Sequence, residues 1–229
     1  MPQPLGTEFT HGSFDTEAVE HYLADTDFMQ AFTTSMHVLG TALLASPKTD
    51  EFARALEILR SIDLTADWPF GSEDDLAASA QMLAEGTNET QHDLVVEYTR
   101  LFRGPAALPA PPWGSVYMDH DKVMYGWTWV ELRRWLRAHG IEGTYEENDP
   151  EDNFARMISL AGILAQERPE LLAEFLADHL LCWSDRFLEL LEPACKSQVY
   201  RALARLSRTT LADIQYRFGI TPAERTMRR

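Results

Sequence analysis

Lysine is nearly absent from this chain of 229 residues: only Lys48, Lys122 and Lys196 occur, beside seventeen arginines. Basic side chains of both kinds are outnumbered, 20 against 36 Asp and Glu, which leaves a formal charge of −16. A field of that sign repels polyanions, so neither nucleic acid nor an anionic membrane surface is an expected partner. Cysteine is also scarce. Cys182 and Cys195 form no CxxC and no ladder of spacings, which excludes a disulfide framework and fits a reducing compartment. No apolar run approaches the roughly 20 residues of a membrane span. Residues 1–15 have neither a basic start nor an apolar core of the secretory kind, so a cytoplasmic protein without a leader of its own is expected.

The chemistry-bearing motifs are missing too. There is no nucleophile elbow, P-loop, GxGxxG, HExxH or EF-hand loop, and no two of the seven histidines stand at i, i+4. Asp119-His120-Asp121 has metal-ligand residue types, but three adjacent side chains do not converge on one ion, and a solvated turn is the expectation. Ser115 has no base that the sequence identifies. Conventional catalysis, a metal and a cofactor are therefore all unexpected.

What is present is apolar periodicity. Hydrophobic residues make up 45%, enough for a sizeable core, and nearly every apolar segment repeats at helical spacing. Thr16–Ala45 reads as one helix or two, interrupted near Asp25. Thr49–Ser61 follows, and Ser72 with three carboxylates behind it starts a helix to about Glu85. The helix Glu89–Arg103 carries Leu94, Tyr98, Leu101 and Phe102 at i, i+4, i+7 and i+8. The stretch 104–122 holds four prolines and the aromatic pair Trp113 and Tyr117, and no helix is expected through it. A loop of that length in a compact domain is commonly functional.

Helical period resumes at Thr128-Trp129-Val130-Glu131, a capping-box pattern, and Gly140 supplies a stop. Asp149-Pro150 reads as a cap and first turn. Three more helices are expected near Pro169–Leu181, Ser184–Leu191 and Ala194–Phe218. The expected fold is all-α: a flexible extension at 1–15, an N-terminal helical part at 16–140, an acidic hinge at 141–149, a C-terminal helical part at 150–220 and a basic tail at 221–229.

Charge is unevenly spread. The segment from Arg201 onward is net +5, so residues 1–200 carry −21. Six carboxylates and no base lie between Ile141 and Asp152. Such a run is either a solvated connector or a source of paired carboxylates for acid–base work. It also suits a partner with a cationic end.

Three motifs carry a family resemblance. Glu97-Tyr98-Thr99-Arg100-Leu101-Phe102-Arg103-Gly104-Pro105, followed by Pro111-Pro112-Trp113-Gly114-Ser115-Val116, resembles the signature of the TorD/DmsD redox-enzyme maturation chaperones. Asn148-Asp149-Pro150-Glu151-Asp152-Asn153-Phe154 is similar to that family's Glu-Pro-Glu-Asp-His hinge, and His179-Leu180 through Trp183 to Arg186-Phe187 is similar to a third motif. The likeness runs from about Phe28 to Ile220, and the Pro-Pro-Trp-Gly-Ser-Val stretch puts it nearer the DmsD branch.

The resemblance implies a compact TorD-like helical fold without catalysis. It also implies a client: the twin-arginine leader of a molybdenum-cofactor oxidoreductase precursor of the dimethyl-sulfoxide-reductase type, retained in the cytoplasm until cofactor is inserted. A NarJ-like assembly factor for a non-exported client is the alternative within the class, and a nucleotide- or small-molecule-binding enzyme the alternative outside it. A monomer or a domain-swapped dimer is expected. Leader-binding positions of the family map onto Tyr98, Leu101, Phe102, Pro112, Trp113, Gly114, Asp152 and Asn153. At Asn153 the family usually has His, so a titrating role there is lost. Helix-in-groove recognition needs aromatic and aliphatic anchors, and an arginine pair needs carboxylates. The expectation is one cleft with the Tyr98–Trp113 anchors facing Asp152 and the acidic connector.

Overall fold

The computed structural model describes residues 7–142 and 150–227. Short polar side chains start the helices by accepting the N–H groups that a first turn leaves without partners. Asp15 does so for α1 (Thr16–Ala24) and Asp25 for α2 (Thr26–Leu44), which splits the long apolar segment in two. Thr49 caps α3 (Asp50–Ser61), Asp63 the short α4 (Leu64–Asp67) and Ser72 α5 (Glu73–Glu85). Thr90 and Asp93 form a reciprocal capping box on α6 (Gln91–Tyr98), which runs on through a π turn at Thr99–Arg103.

After the prolines come the short α7 (Gly114–Met118), α8 (Trp127–Ala138) and α9 (Phe154–Glu167). A 3-10 turn at Pro169–Leu171 leads through α10 (Leu172–Phe175) and a second π turn, Leu176–Leu180, into α11 (Leu181–Ala194); α12 (Gln198–Arg217) follows. The all-α architecture is decorated by one antiparallel ribbon of β1 (Thr7–Thr10) and β2 (Glu224–Met227), in which Thr7 pairs with Met227 and Thr10 with Glu224.

Early and late helices interleave. α2 lies along α9, and α12 lies against both α5 and α11. Phe28, Phe32, Met36, Leu39 and Leu43 form the buried face of α2 within one continuous core that extends to Ile220. At Gly40 the α2 backbone comes so close to α9 that an added Cβ would collide with Ser159.

Several elements differ from the sequence reading. The stretch 104–122 does contain a helix, α7, because all four prolines precede Gly114 and none obstructs the turn after it. Thr128 does not cap α8. That helix begins one residue earlier, and the Thr128 N–H and hydroxyl both donate to the Asp119 carboxylate (3.0 and 2.7 Å). Asp119 is thus a bonded group of the α7–α8 connection. α9 starts at Phe154 with Asn153 as its cap, four residues beyond the expected proline start; Asp149 lies outside the described residues.

The expected break at 182–183 is absent, because the π turn carries the chain through without interruption. The real break is at Cys195–Ser197, where Ser197 caps α12. Of the segments 1–15 and 221–229, expected as an extension and a tail, Thr7–Thr10 and Glu224–Met227 meet in the ribbon. Asp178 holds the first of these segments by accepting from His11 Nδ1 and the Gly12 N–H, each at 2.6 Å. Of the hinge at 141–149, residues 143–149 lie outside the described residues. Cys182 and Cys195 are free thiols.

Candidate functional site

Residues 112–115 and 152–154 are joined by main-chain hydrogen bonds. The Phe154 N–H donates to the Pro112 carbonyl at 2.8 Å, and the Gly114 N–H donates to the Asp152 carbonyl at 3.0 Å. Trp113 and Asn153 are therefore bridge partners, and the Pro-rich loop is fastened to the start of α9. A third bond reinforces this junction: the Ser115 N–H donates to Asp152 Oδ2 at 2.8 Å.

The Asp152 side chain is 1% exposed, and its other oxygen has no partner among the described residues. Burial pushes its carboxyl up to about 6, against the opposite pull of the Ser115 N–H. Gly114 is set under Trp183, whose Nε1 would lie 2.8 Å from an added Cβ and donates instead to the His179 carbonyl at 2.9 Å.

Above this junction opens a cleft of about 190 Å³. Its walls come from four places: Leu43 and Leu44 at the end of α2; Tyr98, Phe102 and Arg103 at the end of α6; Pro112 and Trp113; and Asn153, Phe154 and Ala155. Met124 and Phe187 complete it. Tyr98 is held on two sides, donating from its hydroxyl to the Leu44 carbonyl at 2.7 Å and accepting from Arg103 at 2.9 Å. Its ring centroid lies 5.6 Å from that of Phe102. Trp113 Nε1 is buried with no partner among the described residues. Such a wall, in which aromatic and aliphatic side chains outnumber polar ones, takes an apolar segment of a ligand.

The expected site residues divide into two sets. Tyr98, Phe102, Pro112, Trp113 and Asn153 line the cleft. Leu101, Gly114 and Asp152 do not. Leu101 is 0% exposed and belongs to the core, because successive helical residues point about 100° apart and Phe102 takes the outward direction. Asp152 lies beneath the loop, so among the described residues the cleft wall contains no carboxylate, and its one charged residue is Arg103.

The acidic connector has several fates. Glu151 pairs with Arg133 at 3.0 Å and accepts from Trp129 Nε1, Glu142 is exposed, and Glu146, Glu147 and Asp149 lie outside the described residues. The sequence reading missed Leu43, Leu44, Met124 and Ala155 as wall residues. Nothing in their spacing distinguishes them from core. Arg103, Phe154 and Phe187 lie inside the quoted motifs and were within reach.

Glu97, at the head of the first motif, has a different task. Its carboxylate accepts from Arg100 Nε and a second guanidinium nitrogen at 2.8 and 2.7 Å, and from the Lys196 N–H at 2.6 Å. It thereby ties α6 to the α11–α12 corner. Burial opposes its ionisation, but the guanidinium and the backbone donors outweigh burial and hold the carboxyl below its usual range.

A family model described as nitrate reductase delta subunit matches residues 66–189. The Tat proofreading chaperone DmsD of Salmonella typhimurium is 37% identical over 193 residues, covering 83% of this chain and 93% of the relative. The chain belongs to the TorD/DmsD family of redox-enzyme maturation chaperones. The chaperone protein TorD of Vibrio cholerae is 27% identical over 161 residues, 62% of this chain and 71% of its own length. A redox enzyme maturation protein from Archaeoglobus fulgidus has the same fold, with a TM-score of 0.52 at 24% identity over 80% of this chain and 93% of that one. The TorD/DmsD signature stretches thus correspond to the two segments that meet at the Trp113–Asn153 bridge. The third motif supplies Trp183, packed beneath Gly114, and Phe187 in the wall.

Proposed function

We propose that this chain binds the twin-arginine leader of a molybdoenzyme precursor of the dimethyl-sulfoxide-reductase type in the cytoplasm, and retains the precursor until its cofactor is in place. The observation that carries this reading is the cleft built from the family's own motif residues, with Tyr98, Phe102 and Trp113 around an opening suited to an apolar peptide segment. Membership in a family of chaperones supports the class of activity, and the DmsD relatives are named for Tat proofreading.

Within this reading the cleft takes the apolar residues of the leader. Arg103 in its wall disfavours a second cation there, since like charges repel most where water is scarce. The hydroxyl of Tyr98 is already engaged, so the pocket is pre-shaped, which lowers the ordering cost of binding.

The test is co-purification of the precursor with this chain, repeated with the leader deleted. The expected result is loss of the precursor when its leader is removed. A client retained equally without a leader would favour the NarJ-like role, and titration with nucleotide alone would detect the enzyme alternative.

A further inference from the structure

Beside its contact with α2, one face of α9 is open among the described residues. Arg156, Ser159, Leu160, Ile163, Leu164 and Glu167 stand at i, i+3, i+4, i+7, i+8 and i+11, one stripe along the helix, and floor a second groove of about 640 Å³. Ile163, in the middle of that floor, is 51% exposed. Leu44 belongs to the walls of both this groove and the first cleft. The two openings are therefore consecutive stations along α9, the cleft at its Asn153 end and the groove toward Glu167. At about 1.5 Å per residue the helix spans roughly 20 Å, the length of about six residues of extended peptide.

The stations differ in charge. The cleft wall has Arg103 and no carboxylate. The groove wall has Glu142 and Glu167, both exposed and neither in an ion pair among the described residues. The groove also holds two cations, and neither is free: Arg156 is engaged, and Arg168 is bound to Glu170 at 2.7 Å and to the His139 carbonyl at 3.2 Å, which leaves the two carboxylates as its open charges among the described residues.

We infer that this groove is the arginine subsite of the leader site: the leader lies antiparallel to α9, its arginine pair over Ile163 between Glu142 and Glu167 and its apolar stretch in the Tyr98–Trp113 cleft. This rests on the leader-binding reading above. An exposed isoleucine flanked by free carboxylates is the combination an arginine uses, the aliphatic stem on the apolar floor and the guanidinium on carboxylate oxygens. The carbonyl end of α9 adds a field of the same sign. Asp152 is then a positioning residue for the loop and makes no contact with the arginines.

The experiment is calorimetric titration of the full chain at low and high salt with two synthetic leaders that differ only in the pair, Arg-Arg or Gln-Gln. The chain is expected to prefer Arg-Arg by about tenfold or more at low salt. Glu142→Gln with Glu167→Gln is expected to remove most of that preference and flatten the salt dependence, while leaving affinity for the Gln-Gln leader unchanged. Both positions are exposed, so the fold is not at risk. Trp113→Ala weakens both leaders equally and keeps their ratio, and Asp152→Asn also keeps the ratio. If the unmodified chain binds neither leader, the leader-binding reading fails, and the groove assignment with it. If leaders bind but the double variant keeps the full preference, or Asp152→Asn alone abolishes it, the groove assignment fails while leader binding stands.

Discussion

The backbone N–H of Ser115 donates to the buried carboxylate of Asp152 at 2.8 Å, across 37 positions of sequence. The contact fixes the Trp113 loop on the start of α9, and it places an ionisable group where ionisation is costly. Burial lifts the Asp152 carboxyl from its ordinary 3.8 to about 6. A carboxyl whose folded value is raised binds its proton more tightly in the folded chain. Stability from this group is thus full below pH 4 and is lost as the pH rises through about 6, by on the order of 3 kcal/mol. Asp152→Asn keeps an oxygen for the Ser115 N–H and removes the titration. Urea unfolding between pH 4 and 8 is expected to show the difference between variant and parent growing in the variant's favour across that window. A difference independent of pH would mean that Asp152 is not the group responsible.

Leu101 and Phe102 are neighbours with opposite assignments, core and cleft. Leu101→Ala removes a fully buried side chain and is expected to lower stability by about 2–5 kcal/mol. Phe102→Ala, like Trp113→Ala, is expected to weaken leader binding by about 1–2 kcal/mol in a chain that remains folded. Denaturant melts and leader titrations on the same samples separate the two effects. If Phe102→Ala unfolds the chain and leaves residual binding unaltered, Phe102 belongs with the core.

Glu97 is 5% exposed and satisfies one guanidinium and two backbone N–H groups. Replacing it with Gln leaves Arg100 short of its counter-charge, and a loss of about 3 kcal/mol is expected. Its carboxyl is held below the ordinary 4.5, so its contribution is present above that value and lost as the pH falls beneath it. Acid unfolding of the parent and Glu97→Gln should therefore converge at low pH; parallel curves would contradict this.

Gly114→Ala drives a methyl group against the Trp183 indole, 2.8 Å from Nε1. The indole is itself stacked on Tyr117 at 5.7 Å and held to the His179 carbonyl, so it has little freedom to withdraw. The expected cost is about 1–3 kcal/mol, with a change in Trp183 fluorescence. An unaltered melt would show that the loop yields at this point.

Local chemistry is what the sequence made legible. The cap at Ser72 and the stop at Gly140, where φ is +67°, depend on residues within one helical turn, and each lies where the residue types put it. The start of α8 was misread because the group that meets Thr128 is Asp119, nine positions back in an irregular segment. The start of α9 was misread because Asn153, held opposite Trp113 by main-chain bonds to Pro112 and Gly114 of another segment, caps it in place of the Asp149-Pro150 pair. Five of the expected site residues reached the cleft because motif and geometry coincide there. Asp152 did not, since no spacing distinguishes a carboxylate on a rim from one beneath a loop. The α9 stripe passed unnoticed because Ile163 repeats at the same period as the core residues around it.

α9 has two jobs on adjoining faces. At Ser159 it is pressed against Gly40 of α2, with no room for a methyl group; from that edge outward it floors the groove and, at its first turn, the cleft. A helix wedged that tightly cannot slide or tilt without breaking its contact with α2. The two stations along it consequently keep a constant separation, like marks on a ruler, and a peptide that engages both is measured by its length as well as by its chemistry.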